Sequence, residues 1–178
     1  MLERKFVSQF RGELYKVLNN VHEHLLMDAP KSGKKPYDFF FLWHGWHVSV
    51  EAKSTKKGAS ISRNCVTAVQ MQSLKDTERA GGRGFIVVLM ARIKQVLIIT
   101  PDAWEIMFAD ESLKTVKLDD IHNVIQELEV TFPEDVPMII SREKWFEVGG
   151  KKTTMWNFQP WIKNIYDCCA PNIKEIPF

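Results

Sequence analysis

The stretch Pro36-Tyr37-Asp38-Phe39-Phe40-Phe41-Leu42-Trp43-His44-Gly45-Trp46-His47-Val48-Ser49-Val50-Glu51-Ala52-Lys53-Ser54-Thr55 decides how this chain is read. Tyr37 to Leu42 and Trp46 to Ala52 are dominated by aromatic and β-branched residues, and His44-Gly45 between them is a two-residue turn signal. A tight antiparallel hairpin is expected. With His44 and Gly45 in the turn, Trp43 pairs with Trp46, Phe40 with Ser49, and Asp38 with Glu51. Side chains alternate along a strand, so Lys53 shares the face of Glu51, while Val48, Val50 and Ala52 occupy the other.

Two carboxylates placed opposite each other in a sheet repel unless solvent or a cation lies between them. A divalent cation satisfies both. One or two carboxylates, with water and phosphate oxygens in the remaining positions, is the arrangement that Mg²⁺ or Mn²⁺ adopts in phosphodiester chemistry. Lys53 is then placed to orient or help deprotonate an attacking water, or to offset charge on a pentacovalent phosphate. A Glu-x-Lys tripeptide taken alone reads as an ordinary surface pair. In a hairpin this apolar, three ionisable groups on one face are costly unless they serve a site.

Pro36-Tyr37-Asp38-Phe39 followed by Glu51-Ala52-Lys53-Ser54-Thr55 resembles the core of the PD-(D/E)xK nucleases, and within them the RecU-type Holliday junction resolvases. Downstream, Gln70, Leu74 and the Gly81-Gly82 pair before the apolar run from Phe85 are similar to that family's Gln-bearing helix and glycine strand. Trp156-Asn157-Phe158-Gln159-Pro160-Trp161 is a looser likeness to its ending. The resemblance spans most of residues 10–100. It implies an α/β, restriction-endonuclease-like mixed β-sheet flanked by helices, a homodimer, Mg²⁺ or Mn²⁺, and paired nicks in branched double-stranded DNA such as four-way junctions. Carried over, Asp38 and Glu51 are metal ligands, Lys53 is the catalytic lysine and Gln70 supports the site, while Thr55 is a phosphate contact. Glu13 corresponds to the acidic residue on the family's first helix and so to a third ligand; a solvated helix glutamate is the other reading. Core hydrogen bonding without catalysis is the alternative for Gln70, whose helix face carries Val66, Val69, Ser73 and Leu74.

The chain departs from the family in two places. A longer insertion ahead of the family's Asp, a stalk thought to enter the junction centre, is replaced by the short basic linker Lys31 to Lys35, and Arg11-Gly12-Glu13 differs from the acidic helix signature of archaeal-type resolvases. Lys31, Lys34, Lys35, Lys56, Lys57 and Arg63 flank the hairpin, and Arg83 lies in the glycine-rich turn; together with Thr55 they form the expected DNA-binding set.

Outward from the hairpin, the apolar spacing of Phe6, Phe10, Leu14, Val17, Leu18, Val21 and Leu25 predicts an amphipathic helix over residues 4–26. A polar loop is expected from Ser54 to Arg63, a helix from about Cys65 to Ala80 stopped by the glycines, strands at 85–91 and 95–100, and a helix from Pro101. Beyond this come a helical piece or loop near Asp119 to Glu127, a strand at 138–141 and a closing helix around Gln159 to Cys168. The whole reads as a single nuclease domain over residues 1–178, with its catalytic core at about 10–100 and residues 101–178 completing the fold or forming the dimer surface.

The 178 residues are 45% hydrophobic and 26% charged, which excludes disorder, and no apolar run reaches the roughly 20 residues of a membrane helix. The N-terminus lacks the pattern of a signal peptide, so a cytoplasmic protein of bacterial or phage origin is expected. Three cysteines, with Cys168 and Cys169 adjacent, make neither a disulfide framework nor a zinc site of Cys-x-x-Cys spacing. His44 and His47, and His22 and His24, lack a third ligand at recognisable spacing and read as turn and surface residues. Net charge is +2, but residues 1–100 hold sixteen Lys and Arg against eight Asp and Glu, so the excess of positive charge lies in the half that carries the hairpin. A metal-dependent, structure-selective DNA endonuclease, most concretely a Holliday junction resolvase, is the function these features support. A restriction or repair endonuclease of the same fold, or a non-catalytic DNA-binding protein, are the alternatives.

Overall fold

The computed structural model describes residues 2–18, 24–28, 37–43, 45–55, 59–131, 135–148 and 151–169. Helix α1 (Leu2–Leu18) is followed by strands β1 (His24–Asp28), β2 (Phe39–Trp43), β3 (Trp46–Thr55) and β4 (Ser60–Ser62). A 3₁₀ turn at Arg63–Cys65 leads into α2 (Ala68–Arg79), β5 (Arg83–Met90), β6 (Gln95–Ile99), α3 (Pro101–Met107), β7 (Thr115–Lys117) and α4 (Leu118–Thr131). Strands β8 (Met138–Val148) and β9 (Lys151–Trp156) and helix α5 (Gln159–Cys169) complete the described chain.

Seven strands form one sheet in the order β1-β2-β3-β5-β6-β8-β9, and β4 pairs with β7 in a small ribbon. The β3–β5 ladder is parallel and the others in the large sheet are antiparallel. A parallel pair needs a crossover, and α2 supplies it. The result is the expected mixed sheet flanked by helices.

Alternation along the central strands sends side chains to two cores. Val48, Val50 and Ala52 of β3, with Phe85, Val87, Val96 and Ile98, pack beneath Phe6, Phe10, Leu14 and Leu18 of α1 and Trp161 and Ile165 of α5. Ile86, Val88, Met90, Leu97 and Ile99 face the opposite way, against Leu74 of α2, Trp104 and Met107 of α3, and Ile121 and Leu128 of α4. Strands covered on both faces read as near-continuous apolar runs, which is why residues 85–90 and 95–99 carry almost no polar side chain. The exceptions on β3 are Ser49, Glu51 and Lys53, which lie under α2.

Two glycines set how closely α2 lies over that ladder. A Cβ at Gly84 would stand 2.9 Å from both Cβ and O of Leu74, and one at Gly82 would stand 2.5 Å from the His47 carbonyl oxygen. Only residues without a side chain admit this approach. Gly81, at φ +85°, makes the left-handed step that ends the helix.

Of the helix expected over residues 4–26, α1 is described over Leu2–Leu18 and residues 19–23 lie outside the described residues, while His24 to Asp28 is instead β1, paired from His24↔Trp43 to Asp28↔Phe39. Pairing with β2, which a helical spacing along one segment cannot show, is what makes this segment a strand. Strand β8 runs well past the expected Ser141, and β4, β7 and β9 are strands that the sequence pattern does not signal. The loop after Thr55 contains β4 and the 3₁₀ turn.

Candidate active site

The hairpin forms in the expected register, from Phe39↔Val50 through Phe40↔Ser49 to Trp43↔Trp46, with Gly45 at φ +81° in the turn. Asp38 lies one step before β2. Its backbone N–H donates to the Val50 carbonyl at 3.0 Å and its Oδ2 accepts from the Ala52 N–H at 2.9 Å. The expected pairing of Asp38 with Glu51 is not part of the ladder, which ends at Phe39↔Val50; the Asp38 N–H bond falls one residue out of that register, and the side-chain bond to Ala52 ties the carboxylate to β3 next to Glu51.

Glu51 is 2% exposed. A carboxylate so buried has to be compensated, and two donors converge on its Oε1: Lys53 Nζ at 2.6 Å and Gln70 Nε2 at 2.5 Å. Lys53 is itself largely buried, at 14% exposure. Gln70 reaches the strand because it sits in the first turn of α2, where it also closes a capping box with Thr67. The structure therefore brings Asp38, Glu51, Lys53 and Gln70 together. Thr67 was not singled out in the sequence, although Thr67-Ala68-Val69-Gln70 carries the capping-box spacing that would have revealed it.

Ser49, on the same face, is fully buried and joins His47 Nε2 to Thr77 Oγ1, each at 3.0 Å. Thr77 donates its hydroxyl proton to the Ser73 carbonyl at 3.1 Å. With the Thr77 proton directed to that carbonyl, the chain of bonds is completed by Ser49 donating to Thr77 and accepting from His47 Nε2–H. His47 also stacks on Phe40 at 4.7 Å, and burial pulls its pKa below the usual histidine value, so it is a half-buried packing residue rather than a surface one.

Glu13 is placed elsewhere. Its Oε2 accepts from the Trp156 N–H at 3.0 Å, and its Oε1 pairs with Arg142 at 2.8 Å and accepts from Gln9 at 3.0 Å. Arg142 and Trp156 belong to β8 and β9, on the side of the sheet covered by α1, and β8 is three places from β3 in strand order. The carboxylate locks the first helix to the last strands and is not brought to the Asp38–Glu51 cluster.

Arg63 is likewise engaged away from the cluster. Its guanidinium donates to the carbonyls of Phe108, Asp110 (2.8 Å) and Glu111 (3.3 Å) and lies over the Phe108 ring at 5.5 Å. It closes the C-terminal end of α3, where unpaired carbonyls accumulate. Thr55 ends β3 on the face of Glu51, and Arg83 begins β5 opposite Val48. Lys31, Lys34, Lys35, Lys56, Lys57 and His44 lie outside the described residues. An open cleft of about 590 Å³ between α2 and α3, lined by Arg63, Thr67, Met71, Lys75, Trp104 and Phe108, borders the cap of α2 but not the carboxylates.

The donor set suits a hard divalent ion. Among the described residues no group of three or more His, Cys, Asp or Glu side chains is assembled, so a metal would rest on two carboxylates, Asp38 and Glu51. Mg²⁺ is commonly bound in that way, keeping several waters and taking further oxygens from substrate phosphates.

A family model described as RecU: Recombination protein U matches residues 14–141. No curated protein sequence matches the chain. Among solved structures, Hjc from the archaeal hyperthermophile Archaeoglobus fulgidus, a Holliday junction resolvase, superposes with a TM-score of 0.40 and 14% identity, over 54% of this chain and 78% of that one.

Proposed function

The chain belongs to the RecU family, and on that premise we propose that it is a Holliday junction resolvase, a divalent-metal-dependent endonuclease that nicks branched DNA as a homodimer. The single observation that carries the chemistry is the buried Glu51 carboxylate, on which Lys53 and Gln70 converge, with Asp38 bonded through its own carboxylate to the adjoining Ala52 N–H.

Mg²⁺ or Mn²⁺, when bound, supplies a water made acidic enough to attack at neutral pH and positive charge for the phosphodiester. Asp38 and Glu51 would hold it. Asp38 is kept in place by the Ala52 N–H, so its carboxylate is oriented before any ligand arrives. Gln70 and Lys53 do the same for Glu51. Lys53 has a second part to play. Its ammonium stands against the carboxylate face, where it can bind the scissile phosphate, orient the attacking water and offset the charge that accumulates on the pentacovalent phosphorus. Burial of Lys53 and Glu51 strengthens each of these interactions relative to water.

The test is incubation of the purified protein with end-labelled four-way junction, Y-shaped and linear duplex DNA in Mg²⁺ or EDTA. Symmetric, metal-dependent nicks confined to the four-way junction are expected. Equal cutting of all three substrates would leave a general nuclease, and tight binding without cutting in Mg²⁺ or Mn²⁺ would leave a binding module.

A further inference from the structure

We propose that Thr67, the N-cap of α2, is a positioning residue for the metal site: it locks the Gln70 amide so that its NH₂ end faces Glu51, and thereby sets the orientation of the Glu51 carboxylate. The proposal rests on the reading of Asp38 and Glu51 as metal ligands.

Four hydrogen bonds make the argument. The Thr67 backbone N–H and hydroxyl both donate to Gln70 Oε1 at 3.0 Å, the Gln70 backbone N–H donates to Thr67 Oγ1 at 3.3 Å, and Gln70 Nε2 donates to Glu51 Oε1 at 2.5 Å. A backbone N–H can only donate and a carboxylate can only accept. Turning the amide over would set NH₂ against the Thr67 N–H and Oε1 against the carboxylate, so both ends would repel. The cap therefore admits one orientation of the amide, and the hydroxyl proton is directed to Oε1 because its oxygen already accepts from Gln70 N.

A capping box normally serves only its helix. Here the same glutamine side chain spans from the cap to a carboxylate that is 2% exposed, on another element and nineteen positions earlier in the chain. Outer partners that orient a ligand act on metal affinity as well as on stability. Loss of the Thr67 hydroxyl removes one of the two donors to Gln70 Oε1 and the acceptor for Gln70 N–H, so the amide is held by the Thr67 N–H alone and its side chain moves more widely, while Lys53 still donates to Glu51 Oε1 from the strand itself.

The experiment is calorimetric titration of Mn²⁺ into wild type, Thr67→Val, Thr67→Ser, Gln70→Ala and the double variant Thr67→Val/Gln70→Ala, with the Gln70 side-chain amide followed by NMR in metal-free protein. Thr67→Val is expected to weaken Mn²⁺ binding about tenfold, the lower range for an orienting partner. Thr67→Ser should bind as wild type, and Thr67→Val should have no further effect once Gln70 is alanine. Equal affinity of wild type and Thr67→Val, or the same loss with and without Gln70, would overturn the proposal by showing that the cap acts on the helix alone. The NMR arm separates it from the metal reading. A Gln70 amide held rigid in wild type and Thr67→Ser but averaged in Thr67→Val supports the positioning even if wild type binds no Mn²⁺, which would sink the metal site instead. An amide unchanged in Thr67→Val overturns the positioning whatever the metal does.

Discussion

Glu13 and Glu51 are both buried carboxylates, yet their partners give them opposite parts. Glu51 is held by a lysine two residues away and a helix amide, leaving it beside Asp38 on the face under α2. Glu13 is tied by Arg142 and the Trp156 N–H across the other face, and Arg142 is in turn seated over the Trp156 ring at 5.3 Å. Glu13→Gln is expected to lower stability by about 1–3 kcal/mol, the loss typical of hydrogen bonds to charged groups. Denaturant unfolding measures it, and Mn²⁺ affinity of the folded variant should match wild type. A stable Glu13→Gln variant that has lost Mn²⁺ binding would return Glu13 to the metal site. The sequence could not separate the two acids, because position on an amphipathic helix shows which side is buried but not which strand end the side chain meets.

At the scale of elements, α2 is the part that joins stability to chemistry. Its first turn carries Gln70, its middle rests on Gly84 through Leu74, and its last turn carries Glu78. Burial, and then the nearby charge of Asp102, push the Glu78 carboxyl up to about 7 from 4.5, with Asp135 adding a little and Gly84 N–H and Arg83 opposing. The folded state thus binds this proton more tightly than the unfolded chain does. Stability gained from it is present below about pH 4.5 and is lost as the pH rises through about 7. The loss is about 1–2 kcal/mol after discounting for solvent around a partly exposed group. Glu78→Gln should flatten that part of the profile in thermal melts between pH 5 and pH 8, and an unchanged slope would contradict the assignment.

The elements themselves were unevenly legible in the sequence. The hairpin, α2, β5, β6 and the start of α3 follow from turn glycines, capping residues and apolar runs, and each forms close to its expected bounds. Strand β1 did not follow, because Leu25 falls at helical spacing from Val21 and Leu18, and only the partner strand β2 decides for extension. Strand β9 was missed for a related reason: Lys151-Lys152-Thr153-Thr154 has little apolar signal, and its pairing with β8 is what makes it a strand. At the site, strand alternation places Glu51 and Lys53 on one face, whereas Asp38 is set by its side-chain bond to Ala52 N–H rather than by cross-strand pairing, and the link from Gln70 to Glu51 needed the approach of α2 that Gly82 and Gly84 permit.

Along the chain as a whole, positive charge is weighted toward the half that carries the hairpin. Sixteen of the twenty-four Lys and Arg residues are in positions 1–100. Arg63 is taken up by the carbonyls at the end of α3, so the phosphate-gripping role proposed here falls to the basic segments before β2 and after β3. Joint replacement of Lys31, Lys34 and Lys35 by alanine is expected to weaken binding to every DNA alike. It should also reduce the slope of log K against log salt by about 3, close to one per phosphate contact removed. Filter-binding or anisotropy titrations across salt concentrations give that slope, and an unaltered one would remove the linker from the interface.

The most direct measurement is the single-turnover rate at which wild type, Asp38→Asn and Glu51→Gln nick a labelled four-way junction in saturating Mg²⁺, with junction affinity measured in parallel in Ca²⁺. The account predicts metal-dependent nicking by wild type, background rates for both variants, and junction binding as tight as wild type or tighter, since each substitution removes negative charge beside the phosphate. Nicking by either variant at a rate comparable to wild type would contradict the claim that these two carboxylates carry the chemistry.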